Sequence, residues 1–268
     1  MKNSNLIYFI TKLIAFVILI TPLHNNAEEP LTEILVTAEL LNDNLLELPN
    51  SITVINEKTI QQRSAQHLED LLNLAPNVNF ASGASRGRFI QIRGIGERSE
   101  FQEPIINSVG VLLDGIDISG IATAATTLDI QQVEVLRGPQ GTLFGANALA
   151  GMINIVSNSP SDNFYARFTT AIEEYGGIEY SGVISGPTTN DSAYRIAIKH
   201  YQSDGFTENS FLQRDDTNNI YETSARARYL TKITIKRGVK PIKTKQTTIT
   251  GSVLTDSIMP PIFIIAVF

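Results

Sequence analysis

The 268-residue chain has no cysteine, no tryptophan and only three histidines. Without cysteine there is no disulfide framework, thiolate zinc site, iron–sulfur cluster or thiol nucleophile. His24, His67 and His200 lie far apart and lack metal-ligand spacing, so neither a metal nor another cofactor is expected. A formal charge of -6 argues against a general nucleic-acid binder. The apolar run Leu13–Ile20 is too short to cross a membrane as a helix. What the chain does have is 43% hydrophobic residues, enough for a sizeable core and too many for wholesale disorder.

Lys2 and Lys12 flank that short apolar run, and Thr21-Pro22 and Ala27-Glu28-Glu29 follow it. A basic start, a short hydrophobic region and a small residue before an acidic segment predict a secretory signal peptide over residues 1–27. Asn25 stands three positions before the expected cut, where a small residue is usual. Charge then divides the remainder. Residues 28–225 hold 11 Lys+Arg against 26 Asp+Glu, whereas residues 226–245 hold 8 basic residues and no acid.

Glu33-Ile34-Leu35-Val36-Thr37-Ala38 is a short alternating segment suited to strand addition on a partner's sheet edge, or to an ordinary edge strand. Ser51–Ile55 reads as a strand, with Asn56 capping a short helix from Glu57. Leu68, Leu71, Leu72 and Ala75 form a helical stripe that Pro76 closes, with Ser64 as the expected cap. His67, Glu69 and Asp70 fall off this stripe and read as solvated. Short apolar strands between glycines follow at Phe89–Arg93, Gly110–Gly115, Ile130–Leu136 and Met152–Val156. Strands and short helices in irregular order point to a small α+β domain.

Beyond Ser161 the period becomes two. Phe164, Ala166, Phe168, Thr170 and Ile172 share one face, and Tyr165, Arg167, Thr169, Ala171 and Glu173 the other. The pattern repeats with Ile178, Tyr180, Gly182 and Ile184; with Tyr194, Ile196 and Ile198 opposite Arg195, Ala197 and Lys199; and with Thr223, Ala225, Ala227 and Tyr229 opposite Ser224, Arg226 and Arg228. Strands of about ten residues with one apolar and one charged face suit an outer-membrane barrel; a soluble sandwich alternates in the same way.

Gln91–Glu97 lacks the third glycine of a dinucleotide fingerprint, and Leu136–Gly145 lacks the Gly-Lys-Ser/Thr of a phosphate loop. Asp114-Gly115-Ile116-Asp117 has no calcium loop behind it. All three read as turns. Taken in order, however, the motifs resemble the plug and first barrel strands of TonB-dependent outer-membrane receptors. Glu33, Ile34, Leu35, Val36, Thr37 and Ala38 are similar to the family's TonB box. Leu68–Leu72 with Ala75–Val78, Ile90–Gly96, Val111–Gly115 and Ile130–Val156 are similar to successive plug motifs.

This resemblance implies an α+β plug domain over 48–160 and antiparallel strands of an incomplete transmembrane β-barrel over 164–234. It also implies a TonB box at 33–38, the TonB C-terminal domain and outer-membrane lipid as partners, and an iron-siderophore or cobalamin as ligand. Arg93 and Arg137 correspond to plug arginines that meet barrel glutamates and so lock plug to barrel. No catalytic residue is implied. The alternative is a non-transporting periplasmic plug module that binds TonB.

The resemblance stops before the C-terminus. Residues 164–268 number 105, half or less of what a 22-stranded barrel needs at about ten residues per strand. The alternation is expected to end near Thr234, and the basic, proline-containing stretch 235–268 reads as an atypical tail. A truncated or frameshifted receptor gene is the expectation this raises.

Overall fold

The computed structural model of the chain describes residues 35–36, 43–44, 51–82, 87–98, 107–141, 147–211, 213–217, 219–237, 240–256 and 262–267. The expected signal peptide and Glu33, Ile34, Thr37 and Ala38 lie outside them. Strand β1 (Leu35–Val36) pairs antiparallel with β2 (Asp43–Asn44) in a two-residue ladder.

The α+β domain is built where the sequence switches between strand-forming runs and helical stripes. β3 (Ser51–Asn56) leads into α1 (Glu57–Gln62), whose first turn is closed by Asn56 Oδ1 accepting from the Thr59 N–H at 2.9 Å. α2 (Leu68–Leu72) buries Leu68, Leu71 and Leu72, as its spacing requires. Its cap is His67, not Ser64: Asp70 Oδ2 accepts from the Gln66 and His67 N–H groups, both at 2.9 Å. Ser64 instead turns the chain at φ 47°.

β4 (Val78–Ser82), β5 (Gly87–Ile92) and β6 (Ile95–Gly96) form a small antiparallel sheet. The main sheet comprises β3, β7 (Val109–Leu113), β8 (Ile116–Asp117), β9 (Ile130–Arg137) and β10 (Gly151–Ser157), in the order β3-β9-β10-β7-β8. β7 and β10 run parallel and the remaining pairs antiparallel. Val111, Val133, Val135, Ile153 and Ile155 pack with Leu71 and Leu72 in one buried cluster.

A second sheet follows, with the order β11-β12-β13-β16-β17-β18. Its strands are β11 (Tyr165–Ile172), β12 (Ile178–Thr189), β13 (Ser192–Ser203), β16 (Ile220–Arg237), β17 (Lys240–Asp256) and β18 (Ile262–Val267). All neighbours are antiparallel, and the sheet is open, with β11 and β18 at its edges. β12 and β13 meet at a tight turn, whereas β13 and β16 are joined by a longer connection carrying β14 (Thr207–Asn209) and β15 (Arg214–Thr217).

Regular strand structure does not end near Thr234. β16 continues to Arg237, and β17 pairs with it from Arg237↔Lys240 to Glu222↔Asp256. Backbone pairing needs no apolar–polar alternation, and the Thr and Ile residues of 231–250 favour strands. Pro241 is the second residue of β17, beside a register shift at Ile235/Lys236, where a proline is tolerated.

The faces of this sheet follow the period-two reading. Phe168, Ile172, Tyr180, Ile184, Ile196 and Ile198 are exposed on one side. On the other, Val183, Ser185, Arg195, Ala197, Lys199, Ser224 and Arg226 are buried.

Candidate functional site

The buried polar face of the second sheet meets the α+β domain, and this contact holds most of the structure's buried charge. Strand register sorts its side chains into tiers. Ala171, Glu179, Tyr201 and Glu222 are cross-strand partners nearest the long β13–β16 connection. Next come Thr169, Ser181, Lys199 and Ser224, then Arg167, Val183, Ala197 and Arg226, then Tyr165, Ser185, Arg195 and Arg228. Successive tiers are two residues, or about 7 Å, apart along the strands.

Each cation on this wall finds an acceptor on the α+β domain. Arg195 donates from Nε and a terminal nitrogen to the two oxygens of Asp129 at 2.6 and 2.5 Å, with both side chains nearly excluded from solvent. Arg226 donates to the Leu128 carbonyl at 2.7 Å. Arg228 donates to the Ser157 carbonyl at 2.7 Å, the Ser157 hydroxyl at 2.8 Å and the Asn158 carbonyl at 2.9 Å, with Asp114 Oδ1 3.9 Å away. Lys199 reaches Thr127 Oγ1 at 3.4 Å. Arg167 meets Glu57 at 3.4 Å in a half-exposed pair of the kind that contributes at most about 1 kcal/mol. Leu128, Val183 and Ala197 form a small apolar cluster among these groups.

Asp129 accepts this fork because the chain turns there at φ 55° and because the Asn158 amide also donates to it at 3.1 Å. Removing one partner of so buried a pair costs about 3–5 kcal/mol. His67 is not solvated: its Nε2 lies 3.0 Å from Glu222 Oε2, and both side chains are buried. Gln66 likewise donates to Glu179 at 3.0 Å. A cavity of about 310 Å³ runs along this contact between α1, residues 127–130 and the faces of β11 to β13.

Arg93 and Arg137 sit elsewhere, at the end of β9 away from this contact. Arg137 donates to Ser51 Oγ at 3.0 Å, Thr53 Oγ1 at 2.6 Å and the Pro76 carbonyl at 3.5 Å. Arg93 is exposed, in a left-handed turn at φ 54° with its N–H on the Asn77 carbonyl. Burial, and then the charge of Arg93 beside it, holds the Arg137 guanidinium below its usual range. Among the described residues, no carboxylate pairs with either arginine.

Asp114 and Asp117 are turn residues. Asp114 accepts from the Ser157 N–H and hydroxyl. Asp117 accepts from the Ser119 N–H and hydroxyl and from Asn147. Burial works to raise the Asp117 carboxyl, but the Ser119 and Asn147 hydrogen bonds outweigh it and hold the group below the usual carboxylate range. Among the described residues no His, Cys, Asp and Glu groups are arranged to hold a metal ion.

The charged face of β13 and β16 is legible in the sequence, but its acceptors are not. The pairs Arg195–Asp129 and Arg228–Ser157 are separated by 66 and 71 positions, and periodicity carries no information about which segment covers a face.

Residues 44–152 match the family described as TonB-dependent Receptor Plug Domain. A vitamin B12 transporter BtuB from Vibrio vulnificus is 31% identical over 156 residues, covering 54% of this chain and 24% of its own length. A pesticin receptor from Yersinia enterocolitica is 27% identical over 168 residues, covering 62% of this chain and 24% of its own. The chain thus spans about a quarter of the length of these relatives. Among solved structures, the ferric yersiniabactin uptake receptor FyuA of Yersinia pestis aligns with a TM-score of 0.63 at 22% identity, over 76% of this chain and 31% of that one. The alcaligin outer-membrane receptor FauA of Bordetella pertussis aligns with a TM-score of 0.61 at 18% identity, over 83% and 35%. These likenesses show the fold: an α+β domain followed by antiparallel strands in an open sheet.

Proposed function

We propose that this chain, whose residues 44–152 match the plug-domain family of TonB-dependent receptors, serves as the plug and opening barrel segment of an outer-membrane receptor for a large, scarce ligand. An iron-siderophore or cobalamin is the ligand class that the relatives' names support. The observation that carries this reading is a polar wall clamped to the plug by Arg195–Asp129 and its neighbours, backed by an apolar outer face. Such a two-faced sheet suits lipid on one side and a filled lumen on the other. On this reading the long β13–β16 connection faces outward and the tight β12–β13 turn faces the periplasm.

Glu33, Ile34, Leu35, Val36, Thr37 and Ala38 would serve as the TonB box, adding as a strand to the TonB C-terminal domain. The two-residue β1–β2 ladder is short enough to be displaced by such a partner. Arg93 and Arg137, like charges side by side without a described acid, would take wall carboxylates and lock plug to barrel. The function involves transport and force, with no enzymatic step. Residues 48–160 form the plug and 164–234 the opening of the barrel in this scheme, with 1–27 as the export signal.

Outer-membrane fractionation tests it. The expected result is recovery of the chain in the outer-membrane fraction, resistant to extraction by high salt. A soluble periplasmic species would favour the alternative, a plug module that binds TonB without transport.

A further inference from the structure

The wall beneath the plug is graded in charge. Glu179 and Glu222 stand together in one tier, with Glu173 beyond them at the outward end, and below lie Lys199, then Arg167 and Arg226, then Arg195 and Arg228. Five cations therefore share three successive tiers. Arg195 and Arg228 are direct cross-strand partners, and like charges so placed repel unless an anion or acceptor lies over them. In the docked state the plug supplies what they need: Asp129 on Arg195, and carbonyls and a hydroxyl on Arg228, with Asp114 close by. Glu57 and the Leu128 carbonyl do the same for Arg167 and Arg226.

We propose that this wall is a concealed anion-binding surface: Arg167, Arg195, Lys199, Arg226 and Arg228 hold plug acceptors while the plug is docked, and take the carboxylates or phosphates of a soluble polyanion once it moves. The plug segment 127–129 with 157–158 is then an internal stand-in for the ligand, and anion and plug compete for the same guanidinium forks. Planar forks suit both occupants, because carboxylate and phosphate accept two parallel hydrogen bonds as Asp129 does. The ligand class inferred is a polyanion, and as a transport step it rests on the receptor reading above.

The absence of cysteine gives a clean test. Ala197, buried in the tier of Arg167 and Arg226, and Ser185, fully buried beside Arg195, are replaced singly as Ala197→Cys and Ser185→Cys in the full chain. Maleimide labelling is followed in chloride, pyrophosphate and tricarballylate at equal ionic strength; the last two arms separate phosphate from carboxylate recognition. Labelling at least several-fold faster in either polyanion than in chloride is expected. Equal rates would overturn the proposal, as would fast labelling of both reporters in chloride alone, since the docked interface would then not exist.

Added to the reporter, Asp129→Asn removes the internal competitor. It should lower the half-maximal polyanion concentration about tenfold, the change expected for roughly one lost charge-assisted pair; an unchanged midpoint counts against the competition. Arg195→Gln with Arg228→Gln should abolish the difference between polyanion and chloride. Capture by the TonB C-terminal domain is scored on the same preparations, so loss of the receptor reading and loss of the anion site are read separately.

Discussion

At the scale of single residues, the fork from Arg195 to Asp129 is the strongest contact between plug and wall, because both groups are buried and both carboxylate oxygens are used. Among the described residues, Arg195→Ala leaves the buried Asp129 side chain with only the Asn158 amide donating to it, and should weaken plug docking by about 3 kcal/mol. Arg195→Lys keeps the charge but not the fork, and should lose part of that. The midpoint of urea-induced plug release measures both. Asp117 makes a pH-dependent contribution. Its folded carboxyl is held below the usual range, so its stabilisation is present above the ordinary carboxylate pKa and is lost as pH falls through the lowered folded value. Asp117→Asn should therefore flatten the acid limb of a stability-versus-pH curve and leave neutral pH least affected in slope. The charged faces containing Arg195, Lys199, Arg226 and Arg228 were legible from alternation alone. His67 was not, because a polar residue off a helical stripe signals solvent only when no second element covers it, and β16 brings Glu222 onto it.

At the scale of elements, the strands of the plug were legible because each apolar run is short and bounded by glycine, as at Val109–Leu113 and Gly151–Ser157. Gly110 shows how little room their packing leaves. A Cβ there would stand 2.5 Å from the Asn147 carbonyl oxygen, so Gly110→Ala forces backbone to move. It should cost about 1–3 kcal/mol, read as a lower thermal midpoint of the plug. The parallel pairing of β7 with β10 was not legible, since 37 residues separate the ends of these strands and local pattern does not specify partners. The same holds beyond Thr234: loss of alternation removed the sequence signal, while backbone hydrogen bonding continued along β16 and β17.

At the scale of the whole molecule, plug and wall strands form a docked pair in a chain that spans about a quarter of the length of its curated relatives. The open sheet has unpaired edges at β11 and β18 among the described residues, and such edges invite further strand pairing. Concentration-dependent association of the purified chain is expected, measurable by light scattering, and should diminish when Thr170→Pro is placed on the β11 edge. The proposed function depends above all on coupling to TonB through residues 33–38. The most direct measurement is capture of the full chain by the immobilised TonB C-terminal domain, compared with Val36→Pro, which removes a ladder N–H from the proposed box. Retention of the native chain and loss of at least tenfold in the variant is the predicted result; no retention, or equal retention of both, would contradict it.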